Sequence, residues 1–362
     1  MVNWDLQKEI WGHGFKALLK NHDDVRGRIS GIVVSEPVRV LASFFVSFRF
    51  PPTPRFSPAS LIIVDLLQYL NLPSMRQEMK RMLREDMKFA SVLALYPATM
   101  AMYFLTQGPG AAARRCMGTN RSLAMEAGAG IIIDIGFSYA HVVPFFDHHP
   151  IKGAIKRIDL GGKALTNYMK ELVSFRSMNM MKETNLMEHI REKLCFVSED
   201  VERDLKIAAS KRDSPFKVEW FLPDGVTSKW GHIRDPSQPR GPKDPILVVN
   251  NERFMVPELL FNPGDIGMNE AGLAEATWEA VRGCHPNIQG LICANVSVIG
   301  GLAACEGLLE RLKTELRPLV PDDYDLNIDL PQDPDTLAWR GGALIGAKRE
   351  LFSQLLDSDV DG

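Results

Sequence analysis

Hydrophobic positions recur along the chain in two different periods, which predict an alternation of helices and strands. Residues 3 to 20 carry large apolar side chains at helical spacing, and Gly31 to Pro37 predict a buried strand that ends at proline. Pro73 and Ser74 predict the start of a helix, and a helical run is predicted through "FASVLALYPATMAMYFL" despite Pro97. Strands and helices that alternate in this way predict an α/β protein of two lobes.

One stretch, "GAGIIIDIGFSYAHVVPFF" from Gly128 to Phe146, predicts a buried hairpin. Two apolar runs rich in β-branched residues flank a turn around Gly136. Asp134 then falls at the mouth of a strand, where an unpaired carboxylate is costly to bury. The residues alone leave two interpretations open: Asp134 caps the turn, or it serves a metal or a phosphate at an open cleft.

The segment from Val38 to Gln68 does not fit this alternation. It is rich in Phe, Ser, Pro and Arg and sustains neither period, so we expect no place for it in a core. One interpretation is an exposed hydrophobic loop that binds a partner, although such a patch favours aggregation. The other is translated intron, because Val38 is encoded by GTN and Gln68 can be encoded by CAG, which match the two consensus ends of an intron.

Composition and charge narrow the class of protein. The chain has 362 residues and a formal net charge of -3, so no overall basic field draws it to nucleic acid or to an anionic membrane. Five cysteines without a CxxC pair argue against a disulfide framework or a zinc site and favour a reducing compartment. The charged N-terminus predicts no signal peptide, and no uncharged apolar run approaches the length of about 18 residues that a membrane span needs.

The hairpin resembles the second phosphate loop of the actin fold, in which a strand, a turn and a strand carry Asp-x-Gly and then a His just before Val-x-Pro. The matching residues are Asp134, Gly136, His141 and Pro144. Further motifs follow in the order of that family: "IKRIDLGGKALTNYM", "IREKLCFVSED", "NERFMVPELLFNPGDIG", "NVSVIGGLAACEGLLERL" and "LAWRGGALIG". The chain is thereby identified as a member of the actin superfamily, which implies the two-lobed α/β fold of actin, Hsp70 and the sugar kinases.

The resemblance implies three segments. Residues 1-125 are expected to form a first lobe that is incomplete and carries the atypical insert 38-68. Residues 126-336 are expected to form the second lobe, with a middle sublobe at about 161-261, and residues 337-362 to return to the first lobe. The N-terminal stretch "MVNWDLQKEIWGHGF" resembles a part well inside the fold, so we expect an N-terminally truncated form without the first phosphate hairpin. Either the protein has given up nucleotide or the gene model starts too late.

Details of the sequence resemble one class within the superfamily. The turn Phe137-Ser138-Tyr139, "FLPDG" and "PDDYDLNIDLP" resemble actin-related protein 6, the nuclear class. That class implies a subunit of a SWR-type chromatin remodeller, which exchanges a core histone for its variant form and so regulates transcription. It implies as partners the remodeller ATPase subunit and a HIT-type zinc-finger subunit, with indirect contact to histones or the nucleosome. It also implies a nuclear location, with a cytoplasmic fraction as an alternative, and neither filaments nor direct membrane binding.

A nucleotide site is also implied by the resemblance. Asp134 matches the aspartate near the divalent ion of the family, and Gly300 and Gly301 match glycines that let the backbone approach a phosphate or ribose. Arg191 and Glu192 match positions that contact the adenosine. The glycine pair on its own favours a tight turn, whereas within the ordered motifs it favours nucleotide. The candidate residues for a vestigial or weak nucleotide site are Asp134, Gly136, His141, Arg191, Glu192, Gly300 and Gly301.

Departures from the family pattern weaken the activity that the resemblance implies. Ile135 replaces a small hydroxyl residue, and Phe137 with Ser138 replaces Asp-Gly, so phosphate and metal are bound less well at the turn. Ala90 stands at the position of the water-orienting glutamine, and Asp335 at that of the lysine beside adenine. We therefore expect no catalytic residue, no metal and no ATP turnover. ATP is expected at most as a structural ligand of a full-length form.

Three functions of different classes compete: a non-catalytic remodeller subunit, an actin-like ATP-binding cytoskeletal protein, and a sugar-kinase-like enzyme. The kinase needs a catalytic aspartate beside a sugar pocket, and no motif supplies one. The ATPase needs the glutamine, the Asp-x-Gly-Asp-Gly loop and the first hairpin. A subunit needs only a stable body with distinctive surfaces, and we expect Trp220 and Trp230 either to belong to such a surface or to pack locally.

Overall fold

The computed structural model describes most of the chain. The described residues are 9, 31–34, 45–48, 60–64, 73–86, 91–209, 214–223, 228–235, 237 and 245–358. Apart from Glu9, the helix predicted for residues 3 to 20 lies outside them, and so does Ala90. No helix of these described ranges is long and apolar enough to span a bilayer.

Short strands and helices alternate along the described ranges. The strands are β1 Gly31–Val34, β2 Phe45–Phe48, β3 Ser60–Val64, β4 Ser91–Leu95, β5 Gly130–Ile135, β6 Ala140–Phe146, β7 His149–Pro150, β8 Lys156–Ile158, β9 Val218–Phe221, β10 His232–Ile233, β11 Ile246–Val249, β12 Val296–Ile299 and β13 Ile328–Asp329. The helices are α1 Pro73–Arg81, α2 Pro97–Gln107, α3 Ala111–Arg115, α4 Thr119–Glu126, α5 Gly162–Arg176, α6 Thr184–Leu194, α7 Val201–Ala208, α8 Glu252–Glu258, α9 Leu273–Arg282, α10 Pro286–Cys293, α11 Leu308–Leu316, α12 Leu337–Ala347 and α13 Arg349–Ser358.

The chain divides into two compact units. Unit 1 contains Met1–Ile132, Val143–Ile155 and Asp335–Gly362, and unit 2 contains Ile133–Val142 and Lys156–Pro334. The division crosses both strands of the predicted hairpin, so the turn of that hairpin belongs to unit 2 and its outer ends belong to unit 1. The units therefore differ from the predicted lobes, which placed Val143–Ile155 in the second lobe.

Unit 1 contains a four-stranded sheet in the order β2-β1-β3-β4. β1 pairs antiparallel with β2 and parallel with β3, and β3 pairs parallel with β4. The segment from Val38 to Gln68 supplies both β2 and β3, so the expectation that it does not fit the alternation of elements is wrong. The apolar run "SLIIV" of β3 is of the same kind as "GIVV" of β1, and β-branched residues of this type favour a strand.

Pro97 separates two elements that the sequence predicted as one helical run. Ser91–Leu95 is a strand, and Pro97 is the first residue of α2. Proline suits this position because the first N–H groups of a helix have no partner within the helix. The prediction of a continuous helix through "FASVLALYPATMAMYFL" is wrong for its first half.

The core of unit 1 lies where α2, α12 and α13 pack near β4. Its buried side chains include Leu93, Met100, Tyr103, Ile345 and Phe352. α12 approaches α2 closely at Gly341, where an added Cβ would lie 1.9 Å from the carbonyl oxygen of Met100. Only glycine permits this distance between the two helices.

Unit 2 contains a sheet and a separate antiparallel sheet. In the first, the strand order is β13-β12-β5-β6, and β8 pairs antiparallel with the first half of β6. In the second, the order is β10-β9-β11. Each of the five cysteines of the chain is free.

Trp220 on β9 is a core residue of unit 2. Only 3% of its surface is exposed, and its indole N–H donates to the carbonyl of Trp230 at 3.1 Å. Trp230 is half-buried and stacks on His189 with a centroid distance of 5.2 Å. Local packing is therefore the correct interpretation of Trp220, and the expectation of a surface position for it is wrong.

Candidate functional site

The hairpin predicted from the apolar runs is confirmed as β5 and β6. Both strands are buried along most of their length. At the turn, the N–H of Gly136 donates to the carbonyl of Tyr139 at 3.1 Å, so Phe137 and Ser138 form the connection. The buried strands hold this short turn at the end of the sheet in unit 2.

Asp134 lies near the end of β5 and is half-buried. No side chain or N–H of the described residues donates a hydrogen bond to its carboxylate. Burial raises the pKa of this carboxyl from the ordinary value of 3.8 to about 6. Asp134 therefore does not cap the turn, and that interpretation is wrong. Its carboxylate remains available to a cation or a donor.

Gly300 brings the loop after β12 against the end of β5. Its φ is +96°, and an added Cβ would lie 2.5 Å from the carbonyl oxygen of Ile135 and 2.8 Å from Oδ1 of Asp134. The N–H of Leu302 donates to the same carbonyl of Ile135 at 3.2 Å. Gly301 differs, because an added Cβ there meets no atom within 4 Å. Gly300 is thus required by its backbone conformation and by the close approach of neighbouring atoms. Gly301 borders open space.

The start of α5 holds the turn from the other side. The N–H of Gly162 donates to the carbonyl of Gly136 at 3.1 Å, and the N–H of Lys163 donates to that of Phe137 at 2.7 Å. An added Cβ at Gly161 would lie 2.6 Å from the backbone nitrogen of Tyr139. N–H groups at a helix start often bind phosphate, but these two are already bonded to the turn.

Arg191 on α6 is buried beside the start of α5. Its Nε donates to Oγ1 of Thr166 at 3.1 Å, and that hydroxyl donates to the carbonyl of Gly162 at 2.8 Å. Its Nη2 lies 3.4 Å from Oε1 of Glu192. An added Cβ at Gly162 would lie 3.5 Å from Cδ2 of Phe137 and 3.6 Å from Nη2 of Arg191. A Cβ at Gly162 would therefore make ordinary van der Waals contact with both the ring and the guanidinium.

His141 on β6 is buried, with 4% of its surface exposed. Its ring meets the ring of Tyr139 edge-on at a centroid distance of 4.7 Å, and the guanidinium of Arg157 lies 4.6 Å from the centre of the Tyr139 ring. Burial, and then the charge of Arg157, lower the pKa of the His141 imidazole from 6.5 to about 4. The imidazole is therefore neutral at physiological pH.

The predicted site residues all lie in unit 2. The end of β5 brings Asp134, Gly136 and Gly300 together, and Gly162 connects the turn to Arg191. The side chain of Glu192 is 58% exposed. No group of three or more potential metal ligands occurs among the described residues.

Sequence reasoning missed the residues that position this site, which are Gly161, Gly162 and Thr166. Their signal is present in "LGGKALT", where a threonine follows a glycine by one helical turn and can bond back to its carbonyl. That the same hydroxyl accepts a bond from Arg191 depends on how α5 packs against α6. The sequence alone does not specify this packing.

The fold and these motifs define an actin-like protein, and an actin family model matches residues 1–358. The chain belongs to the actin family. Its relatives include Actin-related protein 6 of Arabidopsis thaliana, which is 34% identical over 98% of this chain and 78% of the relative. Actin-related protein 6 of Drosophila melanogaster is 33% identical over 94% of this chain and 76% of the relative. Actin-like protein arp6 of Emericella nidulans is 30% identical over 98% and 75%. The predicted superfamily and the likeness to actin-related protein 6 are confirmed.

Proposed function

We propose that the chain is a non-catalytic subunit of a nuclear chromatin-remodelling complex of the SWR type. In this role it supports the exchange of a core histone for its variant form and thereby regulates transcription. The likeness to proteins named actin-related protein 6 supports the class. The observation that carries the absence of catalysis is the position of Phe137 in the phosphate-loop turn, with its ring near Gly162 and Arg191.

The turn is poorly suited to hydrolyse a nucleotide. Phe137 places an apolar ring where the actin pattern has a carboxylate, so only Asp134 remains at the turn as a ligand for a divalent ion. The N–H groups of Gly162 and Lys163 donate to the turn itself and not outward. His141 is neutral but buried, so it does not orient a water molecule in an open site. These residues do not fit a catalytic metal-nucleotide complex, and we derive no catalytic step from them.

Partners and location follow from the same proposal. We place the chain in the nucleus, bound to the remodeller ATPase subunit and to a HIT-type zinc-finger subunit, with the nucleosome contacted indirectly. A net charge of -3 agrees with indirect contact to DNA, because direct contact uses a basic surface. The work of the subunit then depends on its surfaces and not on bond chemistry.

Two measurements test this proposal. Affinity purification of the tagged full-length protein from nuclear extract should recover remodeller subunits and a histone variant. A phosphate-release assay on the purified chain should give no ATP turnover above background. Recovery of filaments and cytoskeletal actin-binding proteins, or turnover that disappears in Asp134→Ala, would contradict it.

One observation favours the alternative, an actin-like ATP-binding cytoskeletal protein. Asp134 still lies beside Gly300, as a nucleotide site of the actin type requires. Thermal unfolding with and without magnesium ATP separates binding from turnover, because a ligand that binds only the folded state raises the melting temperature. A rise without turnover indicates ATP as a structural ligand, whereas a rise with turnover and sedimenting filaments supports the alternative.

A further inference from the structure

A cavity of about 580 Å³ opens in unit 2 among the end of α5, α7 and β11. Its volume falls in the range of natural ligand pockets, roughly 300–1,000 Å³. None of the residues that line it belongs to the candidate nucleotide site. The cavity therefore needs an explanation of its own, and we name it the α5–α7 cavity.

One wall of the α5–α7 cavity is apolar. Leu205, Ala208 and Ala209 supply it from α7 and the residue that follows, and Val248 supplies it from β11. Leu205 is 37% exposed. These side chains offer an apolar wall to a bound group, as most ligand pockets do.

Among the described residues, two charged side chains line the α5–α7 cavity, and both are cationic. They are Arg176 and Lys217, and no carboxylate of the described residues lines it. Glu252 lies beneath, with 3% of its surface exposed. Its Oε1 accepts from Nη1 of Arg176 at 2.7 Å, and its Oε2 accepts from the N–H of Asn250 at 2.7 Å.

Lys217 has only a distant ion partner. Its Nζ is 3.9 Å from Oε1 of Glu219, and the other oxygen of that carboxylate accepts from Arg234. The Lys217 side chain is 41% exposed. The lining therefore offers the positive charge of Lys217 beside an apolar wall, which complements a ligand that is apolar and acidic.

We propose that the α5–α7 cavity is a docking site for a segment of a partner protein that carries a large apolar side chain flanked by carboxylates. The apolar side chain packs against Leu205 and Val248. A flanking carboxylate pairs with Lys217, because Arg176 is already paired with Glu252. This inference rests on the proposed function in one respect only, namely that the chain acts through its surfaces as a subunit.

Site-specific cross-linking in cells tests the docking site. The tagged full chain carries the photoreactive residue in the substitution Leu205→p-benzoylphenylalanine, at a position that lines the cavity and is 37% exposed. The control carries it as Leu319→p-benzoylphenylalanine, because Leu319 is also 37% exposed in unit 2 but does not line the cavity. Cross-linked peptides are identified by mass spectrometry after purification.

We expect cross-links from position 205 to concentrate on one segment of one protein, at apolar residues flanked by Asp or Glu. Lys217→Glu should reduce their yield about tenfold, which corresponds to the loss of one strong interface contact. The matched charge reversal Lys313→Glu, at an exposed lysine of α11, should leave the yield unchanged. Circular dichroism and thermal unfolding establish that each variant is folded.

Three outcomes would overturn the docking site: a yield at position 205 no higher than at position 319, cross-links to a second copy of this chain, or cross-links to a segment without acidic residues. Failure of the proposed function is a separate result. In that case remodeller subunits are missing from the purification, whatever protein the cross-link identifies.

Discussion

Gly300 and Asp134 lie so close that a methyl group on Gly300 would stand 2.8 Å from Oδ1 of the carboxylate. The two residues are far apart in sequence and belong to different motifs of the actin family. Their proximity sets the backbone of the loop after β12 against the end of β5. Because Gly300 makes this close approach and Gly301 does not, substitutions at the two glycines test which of them the site geometry requires.

Gly300→Ala should destabilise the protein, whereas Gly301→Ala should not. At Gly300 a positive φ is combined with a Cβ position 2.5 Å from the carbonyl oxygen of Ile135, so alanine imposes both strain and a clash. We expect a loss of about 1–3 kcal/mol in the free energy of unfolding. At Gly301 an added Cβ meets only open space, so the matched variant should stay within about 0.5 kcal/mol of the parent. Chemical denaturation measures both, and equal losses would contradict the assignment.

Asp134→Asn should stabilise the protein at neutral pH. The folded state holds the pKa of Asp134 at about 6, above the ordinary 3.8, so the folded state binds the proton more tightly than the unfolded state. Ionisation therefore costs no stability below pH 3.8, a growing amount between pH 3.8 and 6, and the full amount above 6. Asparagine removes this cost, and we expect a gain of roughly 1–3 kcal/mol above pH 6 that vanishes in acid. Unfolding curves across this range would contradict the prediction if the gain did not depend on pH.

His141→Gln should reduce the loss in the free energy of unfolding that accompanies a fall in pH. The folded pKa of about 4 lies below the ordinary 6.5, so the unfolded chain takes up a proton that the folded chain resists. The stability contributed by the neutral imidazole is complete above pH 6.5 and falls as the pH approaches 4. Glutamine cannot titrate, so the slope attributable to this residue, roughly 2–3 kcal/mol over the window, should disappear. An unchanged slope in the variant would assign the acid sensitivity to other groups.

Trp220→Ala should cost far more stability than Trp230→Ala. Trp220 is almost fully buried and donates a hydrogen bond to the carbonyl of Trp230, so its removal leaves a large cavity. Truncation of a buried tryptophan typically costs about 3–5 kcal/mol. Trp230 is half-buried and stacks on His189, so the folded Trp230→Ala variant is the suitable one for testing incorporation into a complex. If Trp220→Ala melts like the parent chain, the core position of this residue is wrong.

Transcripts should join the codon of Pro37 directly to that of Tyr69 if the segment from Val38 to Gln68 is translated intron. The shorter chain then loses β2 and β3, and we expect β1 to pair with β4 directly, because both of these strands run parallel to β3. The shorter chain should therefore melt at the same temperature as the longer chain or above it. Reads that run through the segment in most transcripts, or a shorter chain that does not fold, would contradict this prediction.

The amino-acid sequence by itself determined the local elements and the family. Apolar runs around Gly136 predicted the β5–β6 hairpin, and the same residues carry the actin-like motif that the family match confirms. Periodicity succeeds for such elements because it records which face of a strand or helix is buried. Periodicity failed at Ser91–Leu95, because no polar segment separates this apolar strand from the helix that follows it.

Tertiary structure alone decided which distant residues meet. The sequence contained both Asp134 and Gly300, yet their contact depends on the path of the chain from β6 through β12. The sequence showed Trp220 without its burial, and Phe137 without its position near Gly162 and Arg191. Local patterns report on neighbours within a few residues, whereas these contacts join elements whose packing is set by the whole core. For that reason the motifs identified the family, and only the folded chain placed the ring of Phe137 and the guanidinium of Arg191 near Gly162.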